Sequence, residues 1–309
     1  MSQTLSEKDL KLLMEIAQLE TIPQGAYNIR KNGEAAGRAS SENIVIVQKE
    51  DKPGIDITIA AGTKNESVHI PVIITESGYT EMVYNEFFIG EGADVLIVAG
   101  CGIHNSSCDT AQHDGIHTFH VGKNARVKYV ERHYGDGEGT GEKVMNPETV
   151  IYLDEGAYME LETTQIKGVD STNRKTTVVC QAGAEVVINE KLFTHGVQHA
   201  DSTMDIVLEG TDASGRIVSR SVARDESVQI FYPSITGKAC CFGHVQCDSI
   251  IMDAAKIRSI PTVAAEHPEA TLIHEAAIGK IAGEQIQKLM TLGLTQEEAE
   301  ETILSGFMS

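Results

Sequence analysis

The spacing of apolar residues changes period twice along this chain. Residues 6–20 read as a helix: Leu10, Leu13, Met14 and Ala17 fall on one face, Ser6 can cap the start with Asp9 three residues on, and Pro23 and Gly25 end the unit. From about Glu42 to Val263 the period becomes that of strands. Ile44-Val45-Ile46-Val47, Ile55 to Ile59 and Val68 to Ile74 are short, rich in β-branched residues and bounded by Pro, Gly or charge. A phrase then recurs. Gly92-Ala93-Asp94-Val95 is echoed at Asn124-Ala125-Arg126-Val127, Gly156-Ala157-Tyr158-Met159, Gly183-Ala184-Glu185-Val186 and, more weakly, from Ala213 to Ile217. The alanines stand 27 to 32 residues apart. No helical period lies between the copies.

A repeat near 30 residues made only of strands and turns predicts an all-β solenoid: a coil that turns at a small Gly-Ala corner, then runs a strand along one wall. An antiparallel sandwich is the alternative, and the regular spacing favours the solenoid. Gly135 to Gly141, with glycine at every second place, reads as a flexible surface loop. After Pro268 the period is helical again. Ile278, Ile281, Ile286, Leu289 and Met290 form a stripe that stops at Gly293, and Thr295-Gln296-Glu297-Glu298 is a capping box opening a second helix that stops at Gly306. The expected organisation is a helical segment over 1–40, a β-helix core over 41–265 and a helical hairpin over 266–309. That hairpin can cap the solenoid's open edge or dock a partner.

Composition narrows the function classes. The chain has 309 residues, 25 Lys plus Arg against 45 Asp plus Glu, and a net charge of −20. Such a surface repels phosphate backbones and anionic lipid, so neither nucleic acid nor a membrane is an expected partner. No apolar run is long enough to span a bilayer, and Met1 to Glu7 lacks the basic and apolar regions of a signal peptide, which makes the cytoplasm the expected location. Six cysteines there read as thiols, ligands or catalysts rather than disulfides. Trp is absent, which argues against ligand binding by stacking.

The richest chemistry lies between Lys238 and Glu275. Cys240, Cys241, His244, Cys247, His274 and Glu275 all fall there, and thiolates, imidazoles and carboxylates close together suit a soft metal or an iron–sulfur centre. The plainer reading is that buried cysteines fill core. Cys247 and His274 are 27 residues apart, about one coil, so they can sit on adjacent turns. Strand alternation puts Cys241 and Cys247 on one face and Cys240 on the other. A second dense segment holds Cys101, His104, Cys108, His113, His117 and His120. Cys180, in Thr177-Val178-Val179-Cys180, reads as core.

Val245 to Ser249, His274-Glu275-Ala276 and Gly293 to Ala299, in that order, resemble motifs of the SufB/SufD family, the scaffold subunits of the SUF iron–sulfur cluster assembly system, and the resemblance covers about residues 85 to 309. Val245-Gln246-Cys247-Asp248-Ser249 is similar to that family's Thr-Gln-Cys-Asp-Ser signature. His274-Glu275-Ala276 with Gly279-Lys280-Ile281, and Gly293 to Ala299 ending at Gly306-Phe307, are similar to its C-terminal helical segments. A weaker match runs through Gly100-Cys101, Gly115-Ile116-His117 and Ala125 to Tyr129. The resemblance implies a right-handed parallel β-helix with short helices at its ends. It implies a scaffold, not an enzyme, that builds a transient iron–sulfur cluster of the 4Fe-4S type where two β-helices meet. It implies work with a SufC-like ABC ATPase docked on the C-terminal helices, and sulfur supplied by a cysteine desulfurase or sulfur-transfer protein. A flavin is compatible with such a system, but nothing in the sequence points to one.

Carried over position by position, Cys247 matches the cluster-building cysteine, His274 and Glu275 the neighbouring metal-binding pair, and Cys101 the sulfur acceptor. By residue type alone, Cys241 is a candidate second thiolate, and His117 or His104 could lower the Cys101 pKa. The chain is shorter than the family's usual members at its N-terminus, and Glu42 to Phe88 does not align. A minimal homodimer replacing the SufB–SufD pair is one expectation, and a heterodimer with a second SufB/SufD protein another. The alternatives are a SufD-like brace without its own cluster, which the retained Cys247 speaks against, and a β-helix carbohydrate-active enzyme.

Overall fold

The computed structural model describes residues 5–308, so Ser309 and the first four residues of the N-terminal segment read above lie outside it. The helix α1 (Glu7–Ala17) carries the expected capping box, with the Ser6 side chain and the Asp9 side chain each bonded to the other's backbone. The chain then coils through two facing parallel sheets. The first wall runs, in spatial order, Glu34–Ala39, Ala26–Lys31, Lys64–Ile74, Asp94–His104, Arg126–Asp136, Tyr158–Lys167, Glu185–Thr194, Ser214–Ala223, Phe242–Ile251 and Thr271–Gly279. The second wall runs through Ile44–Gln48, Gly54–Ile59, Thr80–Ile89, Ala111–Val121, Ser171–Cys180, His199–Leu208 and Val228–Gly237. Two of its rungs are split, into Lys143–Met145 with Glu148–Leu153 and into Lys256–Ser259 with Thr262–Ala265. Pro147 and Pro261 stand at the splits, where a residue without an N–H cannot donate to the ladder. Among the described residues only the first hairpins, Ala26–Lys31 with Glu34–Ala39 and Ile44–Gln48 with Gly54–Ile59, are antiparallel.

The recurring phrase is the corner of each coil. Gly92, Asn124, Gly156, Gly183 and Asp212 all have φ between 56° and 68°, the left-handed region that Gly, Asn and Asp tolerate best. The next residue, Ala93, Ala125, Ala157, Ala184 or Ala213, is at most 1% exposed, because a larger side chain would collide with the coils above and below. Each coil therefore stacks in register, and the inward positions form ladders such as Val95–Val127–Met159–Val186.

Three expectations change on folding. The strands reach beyond residues 41 and 265 at both ends: Ala26–Lys31 and Thr271–Gly279 each pair with the first wall. Ile278 is thus in a strand, and α2 (Gly283–Thr291) begins after it. The Gly135 to Gly141 segment is no loose loop. It lies on residues 105–109 of the coil below, with Gly139 N–H donating to the Asn105 carbonyl (3.1 Å) and Gly141 N–H to that of Ser107 (2.9 Å). A Cβ on Gly137 would stand 2.0 Å from the Asn105 carbonyl oxygen, which explains the alternating glycines as close backbone approach. Third, α3 (Gln296–Met308) packs against Ser214–Ala223, with Ala299 and Leu304 buried, while no described residue of α2 is buried. Both arms of the Thr295/Glu298 capping box form. Among the described residues no helix is long and apolar enough to cross a membrane.

Candidate functional site

Cys247 and His274 come together. Parallel pairing of Phe242–Ile251 with Thr271–Gly279 sets Val245 against His274 and Cys247 against Ala276. Odd-numbered Val245 and Cys247 face inward, as does His274 on the last strand, and the Cys247 Sγ lies 3.8 Å from His274 Nε2. Cys247 is 2% exposed, and burial pushes its thiol up to about 11. Glu275, one residue on, points to the outer face, where its Oε2 lies 3.3 Å from His244 Nε2. The imidazole and the carboxylate of the expected pair therefore stand on opposite faces of the same strand.

Cys241 is also buried, but it lies roughly 20 Å along the chain direction from Cys247, at six residues of extended backbone. It occupies the place that alanine fills in the earlier coils, since Phe242 N–H bonds the Ala213 carbonyl and the strand stacks on Ser214–Ala223. Its surroundings are apolar: a Cβ on Gly237 would meet its Sγ at 2.8 Å and the Ala270 Cβ at 3.0 Å. Burial raises its thiol. The geometry makes Cys241 a corner residue, well apart from the Cys247–His274 contact. Cys180 is core, fully buried, its thiol raised to about 12.

Cys101 and His117 line one small cavity of about 10 Å³, room for a single water, together with His113, Glu131 and His133. His117 does not activate the thiol. Burial lowers its pKa to about 4, so it is neutral. Its nitrogens are both engaged: Asn85 Nδ2 stands 3.2 Å from Nε2, and the Tyr129 hydroxyl 2.8 Å from Nδ1. Tyr129 in turn donates to Glu131 (3.1 Å), so Nδ1–H donates to the phenol and Nε2 accepts from Asn85. Burial, with Glu81, Glu131 and Asp114 nearby, pushes the Cys101 thiol well above the ordinary range. His104 is outward and bonds Asp136 at 2.6 Å. Cys108 is exposed.

Sequence reasoning missed the polar interior that joins these places. Glu131, Thr163, Glu190, Ser219 and Cys247 form one inward row across five adjacent strands. Facing it, Arg174 bonds Glu131 at 2.5 Å, lies 3.2 Å from His133 Nδ1 and 4.0 Å from Glu190. Glu190 accepts from Ser202 (2.7 Å) and Ser219 (2.8 Å). Burial disfavours a charged Glu131, but Arg174 and His133 outweigh it and hold the carboxyl well below its usual range. Arg30 and Glu81 make a second buried pair nearer the N-terminal end. The signal was present in the repeat: the residue six places after each corner alanine is polar from Ala125 onward, in a row that should be apolar if the coil were only a core. Cys247 occupies that same place in the last complete coil. Among the described residues no three His, Cys, Asp or Glu side chains converge to hold a metal ion.

Comparison with known proteins places these features in a wider set. The model of a family described as SUF system FeS cluster assembly, SufBD core domain, matches residues 73–307. The chain is 31% identical over 264 residues to an iron–sulfur cluster assembly SufBD family protein of Archaeoglobus fulgidus, covering 84% of this chain and 69% of that one. It is 27% identical to a protein of the same description from Methanocaldococcus jannaschii, over 86% and 85% of the two chains. A third, from Pyrococcus horikoshii, is 26% identical over 97% of this chain and 94% of its own.

Proposed function

The chain belongs to the SufBD family and so has a role in iron–sulfur cluster assembly, and on that premise we propose that it is a scaffold whose Cys247 and His274 bind the nascent cluster. The observation that carries this reading is the 3.8 Å approach of Cys247 Sγ to His274 Nε2 at the last pair of strands. One thiolate and one imidazole are half of the four ligands that such a cluster takes, and a mixed set releases its cargo more readily than four thiolates. The remaining ligands come from a second subunit, a copy of this chain or another SufBD protein, because Thr271–Gly279 is the edge strand beside the pair. Glu275, on the outer face, serves in iron entry rather than as a ligand to the same atom as Cys247.

Cys101 is the proposed sulfur acceptor. Its thiolate takes the outer sulfur of a persulfide on a cysteine desulfurase or sulfur-transfer protein; one S–S bond breaks, one forms, and the donor's thiolate leaves without net redox change. Cys101 and Cys247 are five strand steps apart, roughly 24 Å, and the polar row of the interior covers the last four of those steps, from Glu131 to Cys247. The exposed α2–α3 hairpin is the surface for a SufC-like ATPase, which supplies ATP hydrolysis. The reading places the protein in the cytoplasm.

Anaerobic reconstitution with ferrous iron and sulfide tests it. Wild type gains the charge-transfer absorption of a cluster and bound iron and sulfide in equal amounts. Cys247→Ala and His274→Ala lose most of both, while Cys241→Ala retains them. Full loading of Cys247→Ala removes that thiol from the site.

A further inference from the structure

A thiol that receives sulfur from another protein has to be reachable, and Cys101 is 2% exposed, turned inward from the strand Asp94–His104. It stands between Gly100 and Gly102, whose missing side chains leave the outer face of the wall bare at that point. Helix α1 covers this bare strip. A Cβ on Gly100 would lie 2.9 Å from the Ile16 carbonyl oxygen and 3.0 Å from its Cβ, and one on Gly102 would lie 3.3 Å from Leu12 Cβ. The helix backbone thus rests on Gly100, and the Leu12 and Ile16 side chains rest on Gly102. Leu12, Leu13, Ile16 and Ala17 are all buried there, in a cluster of their own with Val98 and Tyr134.

Beyond this apolar contact, the polar means of holding α1 are modest. Its polar pins are Lys8 to His104 (3.0 Å), Lys11 to Asp136 (3.3 Å) and Lys31 to Asp9 (2.8 Å), and the first two lie at the surface, where such contacts contribute little. At 11 residues the helix is too short to persist when detached. It joins the first strand through residues 18–25, which include Pro23 and Gly25 at φ 111°. Under it, Gly-Cys-Gly is the weakest kind of strand, since glycine contributes no side chain to packing and gains most freedom on opening.

We propose that α1 is a releasable clasp: docked, it seals the Cys101 thiol inside the solenoid, and undocked, it lets the Gly100-Cys101-Gly102 strip open to an incoming thiol-directed reagent or protein. This rests on Cys101 being the sulfur acceptor for its purpose, but not for its test. The full chain is alkylated with iodoacetamide at pH 8 and each cysteine is followed by peptide mass spectrometry. Ile16→Glu drives a charge under the helix, and Gly102→Val wedges the helix from the strand side without altering α1. Both raise the alkylation rate of Cys101 at least tenfold. Cys180, in the core of the second wall, stays as protected as in wild type and reports that the solenoid is intact. A Cys101 that reacts as fast in wild type as in the variants overturns the clasp. So does a Cys101 that stays protected while hydrogen exchange shows α1 detached, or a parallel rise at Cys180. If the clasp behaves as described but Cys101→Ser still acquires sulfur from a persulfide donor, the acceptor role fails and the clasp stands.

Discussion

Arg174→Met is the substitution that asks most of the polar interior. Arg174 is 5% exposed and bonds Glu131 at 2.5 Å, with Glu190 at 4.0 Å. Methionine fills similar space but leaves Glu131, itself 3% exposed, as a buried carboxylate without its guanidinium partner. Breaking a buried pair from one side costs about 3–5 kcal/mol, mostly the uncompensated charge. With about 2.1 cal/mol/K of unfolding entropy per residue, that lowers the Tm of this 309-residue chain by roughly 5–8 °C. The pH dependence has a definite sign. In wild type the Glu131 pKa is depressed, so its contribution is present above the unfolded carboxyl value and is lost as pH falls through the folded one. In the variant burial is opposed by His133, His117 and the Tyr129 hydroxyl without the guanidinium, so the folded pKa rises relative to wild type and the carboxyl takes up a proton sooner on the way down from neutrality. The gap between wild type and variant therefore narrows between pH 7.5 and pH 5. Calorimetry across that range, with Glu131→Gln/Arg174→Met alongside, checks it. The double variant recovers at least half of the loss, because Glu190 keeps Ser202 and Ser219. A single variant as stable as wild type at pH 7.5, or a double variant no better than the single, refutes the reasoning.

Other outcomes follow from the same geometry. Gly137→Ala places a Cβ 2.0 Å from the Asn105 carbonyl at φ 107°, and lowers stability by more than about 2 kcal/mol, read as a drop in Tm. With a thiol at about 11, Cys247 is almost wholly protonated at neutral pH, so its alkylation rises about tenfold per unit between pH 8 and pH 10. His274→Ala removes the nearest imidazole and weakens ferrous-iron binding by about tenfold or more in anaerobic titration, whereas His244→Ala, on the outer face with Glu275, leaves it within twofold. Ala157→Leu at a corner with no spare room costs about 1–3 kcal/mol and broadens the thermal transition.

What the chain determined locally could be read from it. The Gly-Ala corners set the coil length, because left-handed backbone followed by a small buried residue is a requirement of one turn and needs no knowledge of the rest. Strand alternation put Cys241 and Cys247 on one face, and a 27-residue separation brought Cys247 and His274 to adjacent turns. The capping boxes at Ser6 and Thr295 closed as written. Tertiary structure decided what depends on two walls meeting. Arg174 reaches Glu131 and Glu190 across the interior, from a different sheet, and no local pattern specifies that register. Cys101 ended with a raised thiol beside a neutral His117 because burial outweighs proximity once water is excluded. The glycines of 137–141 serve contact with the coil below rather than freedom. His274 and Glu275, neighbours in sequence, were parted by the pleat of one strand, since adjacent residues there face opposite ways and only the pairing partner fixes which one faces inward.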